Sequence, residues 1–118
     1  MPVTSEHLAY EIDTVARIAT VVYIGELSDR EVLAFYTQLL ADVPAAPGYD
    51  FLLDMRYTDW RITPGAISRI DQLFRQRGSD SLRRVAVVRK MLNATSMQQE
   101  QVLRAGLTNR TIRYFADM

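Results

Sequence analysis

The stretch from Tyr49 to Phe74 restricts this chain more than any other. Phe51, Leu52 and Leu53 form an apolar run, extended by Tyr49 before it and Met55 after it. A run of that kind without alternation suits a strand covered on both faces, as in a parallel sheet. A polar loop, Arg56 to Ile62, follows, and Thr63-Pro64 then opens a helix. The Thr63 hydroxyl can accept from an unsatisfied amide of the first turn. Pro64 is tolerated at the first helical position, where its missing N–H has no partner to lose. Ile67, Ile70, Leu73 and Phe74 recur at helical spacing. Strand, loop and capped helix in this order build an α/β sheet. Its ligands and partners collect at the C-terminal ends of the strands, where this loop lies.

The rest of the chain extends the pattern. Leu8, Tyr10 and Ile12 alternate with Ala9, Glu11 and Asp13, and Arg17 to Ile24 alternates again. The polar break between them, Asp13 to Ala16, predicts a hairpin. Gly25 closes the second strand. Ser28 to Glu31 is a capping box, with Glu31 placed to return the bond to Ser28. The helix it opens carries Val32, Phe35, Tyr36, Leu39, Leu40 and Val43 on one broad face. Pro44 to Gly48 ends it. After the second helix, Gly78 to Ser81 is a break and Arg84 to Val88 a β-branched strand. A polar third helix is expected between Asn93 and Gly106, and a last strand at Thr111 to Phe115. The expected architecture is a single α/β domain over residues 1–118. It has a mixed five-stranded sheet, an N-terminal hairpin followed by βα units (ββαβαβαβ), and right-handed crossovers.

Composition excludes much. A chain of 118 residues fits one domain, able to bury roughly two-thirds of its unfolded surface. It has no cysteine, so disulfides, thiol chemistry and cysteine-bound metal are out, and a cytoplasmic setting fits. No basic head precedes an apolar run at the N-terminus, and no apolar stretch approaches the ~20 residues of a membrane span. Net charge is zero but unevenly spread. Residues 1–59 hold ten acidic and three basic side chains, whereas residues 60–118 hold four acidic and eleven basic. Such a dipole serves as solvated faces, or steers self-association or an acidic partner. Nucleic acid is not expected, since its footprint is a basic patch on a basic domain.

No motif carries a reaction. The single histidine, His7, makes no metal site, and no serine has a second histidine to serve as base. The scattered glycines form neither a dinucleotide fingerprint nor a phosphate loop. Asp54 and Asp59 are the one carboxylate pair near the functional edge. The plainer reading is that Asp54 caps loop amides and Asp59 is solvated. Arg56 ends one strand and Arg89-Lys90 the next, which offers an anion site beside helix N-termini, or simply solvated charges. Tyr57 and Trp60 are candidate hydrophobic anchors for a partner, and Trp60 serves equally well as a lid on the core.

With that order of elements, the chain resembles the STAS-like superfamily. Bacterial anti-sigma-factor antagonists typify the group, and its fold is related to the CRAL-TRIO lipid-exchange domains. The resemblance spans nearly the whole chain. The opening hairpin, Gly25-Glu26-Leu27 before a capped helix, and Leu52 to Met55 before the second helix carry it. The antagonists have a strand ending in aspartate, then a loop, then a phosphorylatable serine and a glycine. Counted from Asp54, Gly65 falls on that glycine and Pro64 on the serine. The resemblance therefore implies the scaffold without the switch, unless Thr63 substitutes as phosphoacceptor. Relatives usually carry one more helix after the last strand. A second copy of the chain is expected over the surface that helix would cover, giving a homodimer.

The sequence thus predicts a non-enzymatic, cofactor-free and metal-free interaction module of a bacterial cell. It would bind a protein partner or itself through Arg56, Tyr57, Asp59, Trp60, Arg61 and Thr63, with Arg89 and Lys90 alongside. The alternative is a carrier of an apolar or anionic small molecule, which requires an enclosed cavity of a few hundred Å³, roughly.

Overall fold

The computed structural model describes residues 7–58, 63–77, 83–89 and 110–116, the last segment and Arg83 by backbone alone. The hairpin comes first, β1 (Leu8–Asp13) against β2 (Ile18–Gly25). Asp13 shapes its turn by accepting from the amides of Val15 and Ala16 at 3.0 and 2.9 Å. Arg17 completes the turn at φ 58°. Helix α1 (Asp29–Asp42) then leads through a 3-10 turn at Ala46–Gly48 to β3 (Asp50–Thr58). Helix α2 (Pro64–Gln76), β4 (Arg83–Arg89) and β5 (Arg110–Ala116) follow. The sheet order is β1-β2-β3-β4-β5, antiparallel in the hairpin and parallel thereafter. The expected mixed sheet, opening hairpin and first two helices are present. The expected third helix at 93–106 and the break at 78–81 lie outside the described residues.

Both helices start where the sequence places their caps. The Ser28 hydroxyl accepts from the Glu31 amide at 3.2 Å, and the Glu31 carboxylate accepts from the Ser28 amide at 3.4 Å. Thr63 accepts from the Ala66 amide at 3.2 Å. Each cap satisfies donors that the first turn leaves open.

Because the parallel strands follow one another in sequence order, right-handed crossovers deliver both helices to one face of the sheet. Phe51 of β3 meets Tyr36 of α1 and Phe74 of α2, with ring centroids 6.4 and 5.3 Å away, and Tyr10 of β1 meets Phe35 at 6.0 Å. Leu8, Val21, Tyr23, Met55 and Val87 complete this face against Val32, Leu39, Leu40, Ile67 and Ile70, all buried. A polar contact also lies inside it. The Tyr23 and Tyr36 hydroxyls are 2.6 Å apart, so each phenol is buried with a partner.

The other face corrects the sequence reading of the Phe51–Leu53 run. In β3, Phe51, Leu53 and Met55 are buried while Leu52, Asp54 and Arg56 are only half-buried. β2 repeats the pattern, with Ala19, Val21 and Tyr23 buried and Ile18, Thr20, Val22 and Ile24 less so. The strands are covered in full on one face only. The three consecutive apolar residues hid the alternation that Asp54 and Arg56 make plain.

Candidate functional site

The site forms where β2 and β3 end. The strands pair in register from Ile18↔Asp50 to Val22↔Asp54, and then the register slips. Ile24 stands opposite Tyr57 and Gly25 opposite Thr58. One extra residue of β3 is therefore accommodated between Asp54 and Tyr57, a bulge of the kind that re-aims side chains at sheet rims. Without it Arg56 would face Ile24. With it Tyr57 does, and Tyr57 and Ile24 lie side by side, 57% and 45% exposed.

Asp54 fixes the neighbouring charge. Its carboxylate accepts from Arg56 Nε at 2.9 Å, from Arg56 Nη2 at 2.8 Å and from the Arg56 amide at 3.2 Å. The guanidinium beside Asp54 holds the carboxyl below its ordinary pKa, against the opposing effect of partial burial. The same guanidinium stacks on the Tyr57 ring, 5.1 Å from its centroid. The sequence reading that Asp54 caps nearby amides is met in the Arg56 amide. Asp54, Arg56 and Tyr57 thus form one fixed group on the open face, with Ile24 beside them and Val22 and Val88 in register with Asp54.

Two hydroxyls brace this end of the sheet. Thr58 donates to the Gly25 carbonyl at 2.7 Å, closing the ends of β3 and β2 together. Thr63 donates to Asp29 Oδ2 at 2.9 Å while accepting from Ala66, which joins the start of α2 to the start of α1. Its oxygen is engaged both as donor and as acceptor. His7, just before β1, adds a third tie through Nδ1 to Glu31 Oε2 at 2.9 Å. That contact holds the Glu31 carboxyl below its ordinary pKa.

The structure brings together Arg56 and Tyr57 and places Thr63 behind them as a brace. It separates Arg56 from Arg89. The alternation along β4 puts Arg89 on the side of Val85 and Val87, under the helices, whereas Arg56 is on the open side. Two donors of Arg56 are engaged by Asp54. Asp59, Trp60, Arg61 and Lys90 lie outside the described residues. Sequence reasoning missed Ile24, because nothing in a β-branched strand end announces the bulge that sets Tyr57 against it.

Among the described residues no cluster of three metal-ligating side chains occurs, and no helix is long and apolar enough to cross a membrane. No protein-family model matches the sequence, and no curated protein is significantly similar to it. A solved structure is similar throughout: an uncharacterized protein of the DUF3478 family, with a SpoIIAA-like fold, from Shewanella loihica. It is 19% identical, with a TM-score of 0.63, over 98% of this chain and 91% of that one. The likeness establishes the fold: this chain has the SpoIIAA-like, and so STAS-like, arrangement.

Proposed function

We propose that this STAS-like domain is a non-enzymatic interaction module that binds a protein partner through the end of β3. The contact patch is Tyr57 and Ile24, flanked by the Asp54–Arg56 pair; Asp59, Trp60 and Arg61, which follow in sequence before Thr63, are proposed as further contacts. The observation that carries this reading is the bulge. It sets an aromatic and an aliphatic side chain side by side in solvent, with a guanidinium fixed across the ring. Rigid aromatic anchors beside an arginine are the usual centre of a protein interface. Arg56 is pre-organised by Asp54, so little side-chain freedom is lost on binding.

The same geometry supports a non-catalytic role. A general acid or base needs a carboxyl with a pKa moved toward neutrality, and Asp54 is moved the other way. The carrier alternative calls for an enclosed cavity, whereas the groove that the described residues form between α1 and α2 is open to solvent.

The test is comparative capture. Partners enriched by the wild-type chain are compared with those retained by the double variant Tyr57→Ser, Ile24→Ser, and each candidate is reconstituted from purified components. The proposal expects a partner that binds the wild type and is lost with the variant. A reconstituted partner indifferent to both substitutions sinks the assignment of this patch. A discrete extra mass on the freshly isolated chain in native mass spectrometry favours the carrier instead.

A further inference from the structure

His7 is the only histidine of the chain, and the β3 patch makes no use of its side chain. With no cysteine present, it is the one side chain of a kind that ordinarily changes charge between pH 5 and 8. It stands where three elements meet. Its carbonyl accepts from the Ile24 amide at 2.8 Å, the last rung of the hairpin. Its ring lies over Gly25, where an added Cβ would sit 3.5 Å from Cδ2. Its Nδ1 reaches Glu31 Oε2 at 2.9 Å, and the other oxygen of Glu31 accepts the Ser28 amide in the capping box of α1. One carboxylate therefore serves a helix start and an imidazole together.

The rung matters to the patch. The Arg17 carbonyl accepts from the Asp50 amide, so β2 turns its odd-numbered residues to β3 and its even-numbered residues to β1. Ile24 thus donates to His7 and not to β3. Whatever fastens His7 also fastens the aliphatic half of the Tyr57–Ile24 pair.

The charged groups around the ring are mostly acidic. α1 brings Glu31, with Asp29 and Arg30 in the same turn. β2 brings Gly25, followed by the exposed Glu26. β3 meets Gly25 through the uncharged Thr58, and β1 has no charge before Glu11. Asp29 is engaged by Thr63. Glu31 is ionised at neutral pH, since the contact with His7 holds its carboxyl below the ordinary value. A neutral imidazole meets this carboxylate as a donor only with its proton on Nδ1. A protonated ring always carries that proton, and adds charge to the hydrogen bond.

We infer that His7 is a pH-responsive clasp: its imidazolium pairs with Glu31 and steadies the rung to Ile24, and loss of the ring proton loosens both. The tie is strongest below the histidine range and weakens as pH rises through it. Both side chains of the pair are half-buried, so the response is graded, about two- to fivefold in the opening of the rung. A rung beside a strand end opens readily, which lets a change of that size alter its population. The consequence for binding rests on the β3 patch as the binding site. A partner that needs Ile24 in place binds more tightly in mild acid, by a smaller factor, because only the ordered fraction changes.

NMR of the chain alone between pH 5 and pH 8 tests the clasp without a partner. Corrected for intrinsic exchange chemistry, hydrogen-exchange protection of the Ile24 amide falls about two- to fivefold across that range, with the midpoint of the His7 ring titration. In His7→Gln the backbone carbonyl remains and the fall disappears. In Glu31→Gln it disappears as well, while α1 keeps its start, because glutamine also serves in a capping box. Circular dichroism melts verify that both variants fold. Protection of Ile24 that follows pH equally in the wild type and in both variants overturns the inference. So does a His7 ring that titrates while Ile24 is unmoved. A pH-responsive Ile24 in a chain whose reconstituted partner ignores Ile24→Ser upholds the clasp and removes the patch, so the two readings fail separately.

Discussion

One sheet presents two faces to two different environments. Under the helices, Val21, Tyr23, Phe51, Met55 and Val87 are closed from solvent, and an aromatic chain from Tyr10 to Phe74 links strands to helices. On the other side, the same strands show Ile18, Ile24, Leu52 and Tyr57 half-covered or exposed, with ion pairs set between apolar side chains. A single parity of the backbone separates them. The first face holds the fold together, and the second is where the fold has freedom to carry something else. The difference should be measurable one residue at a time.

The largest effect belongs to the covered face. Leu39 is fully buried at the centre of α1, and Leu39→Ala removes its side chain from a close-packed site. The expected loss is about 3 kcal/mol in urea unfolding. Leu52→Ala, on the open face of the central strand, should lose less than half as much. Equal losses from the two substitutions would mean that the open face is as closed as the other.

Next comes a polar contact inside the core. Tyr36→Phe takes away one of two hydroxyls that face each other at 2.6 Å and leaves Tyr23 buried with that bond gone. A loss of about 1–2 kcal/mol is expected. Replacing both tyrosines with phenylalanine should lose less than the sum of the single changes, because the two single changes break the same bond. A strictly additive cycle would show that the two hydroxyls do not depend on each other.

The third effect is pH-dependent and lies on the open face. The folded-state pKa of Asp54 is depressed by Arg56, so its contribution to stability is present above the ordinary carboxylate value near 3.8 and fades as pH falls through the lower folded value. Asp54→Asn should lose about 1 kcal/mol at neutral pH, since the pair is partly solvated. The variant should then converge with the wild type in acid. Urea midpoints between pH 7 and pH 2 check both statements, and a constant gap between the two curves would rule out linkage through this carboxyl.

The face-to-face contrast also explains what the sequence disclosed. Both caps were legible because Ser28-x-x-Glu31 and Thr63-Pro64 are local signals, complete within four residues. The hairpin was legible from alternation and from the polar break at Asp13. The openness of the second sheet face was harder to see. Leu52 sits between Phe51 and Leu53, and an apolar residue on a half-covered face reads the same as one in the core until Asp54 and Arg56 are counted with it. The bulge was not legible at all, since it depends on how β3 accommodates β2 and not on any residue within β3. That is why Arg56 and Tyr57 were found and Ile24 was missed. Arg89 was grouped with Arg56 because both end a strand, and one step of alternation places it on the other face.

The smallest expected effect on stability carries the most about function. Tyr57 is 57% exposed and stands beyond the bulge, so Tyr57→Ser should change stability by no more than about 0.5 kcal/mol. Ile24→Ser should behave alike. What Tyr57→Ser does remove is the ring on which Arg56 stacks, and Arg56 keeps its hold on Asp54 without it. The fold is therefore expected to survive with unchanged melting while partner binding is lost. The opposite pairing of results is equally informative. If Tyr57→Ser unfolds the chain by 1 kcal/mol or more, roughly the worth of a packed side chain, then the ring belongs to the architecture. The open face would then be a second core surface, and the binding patch would have to be sought elsewhere on it.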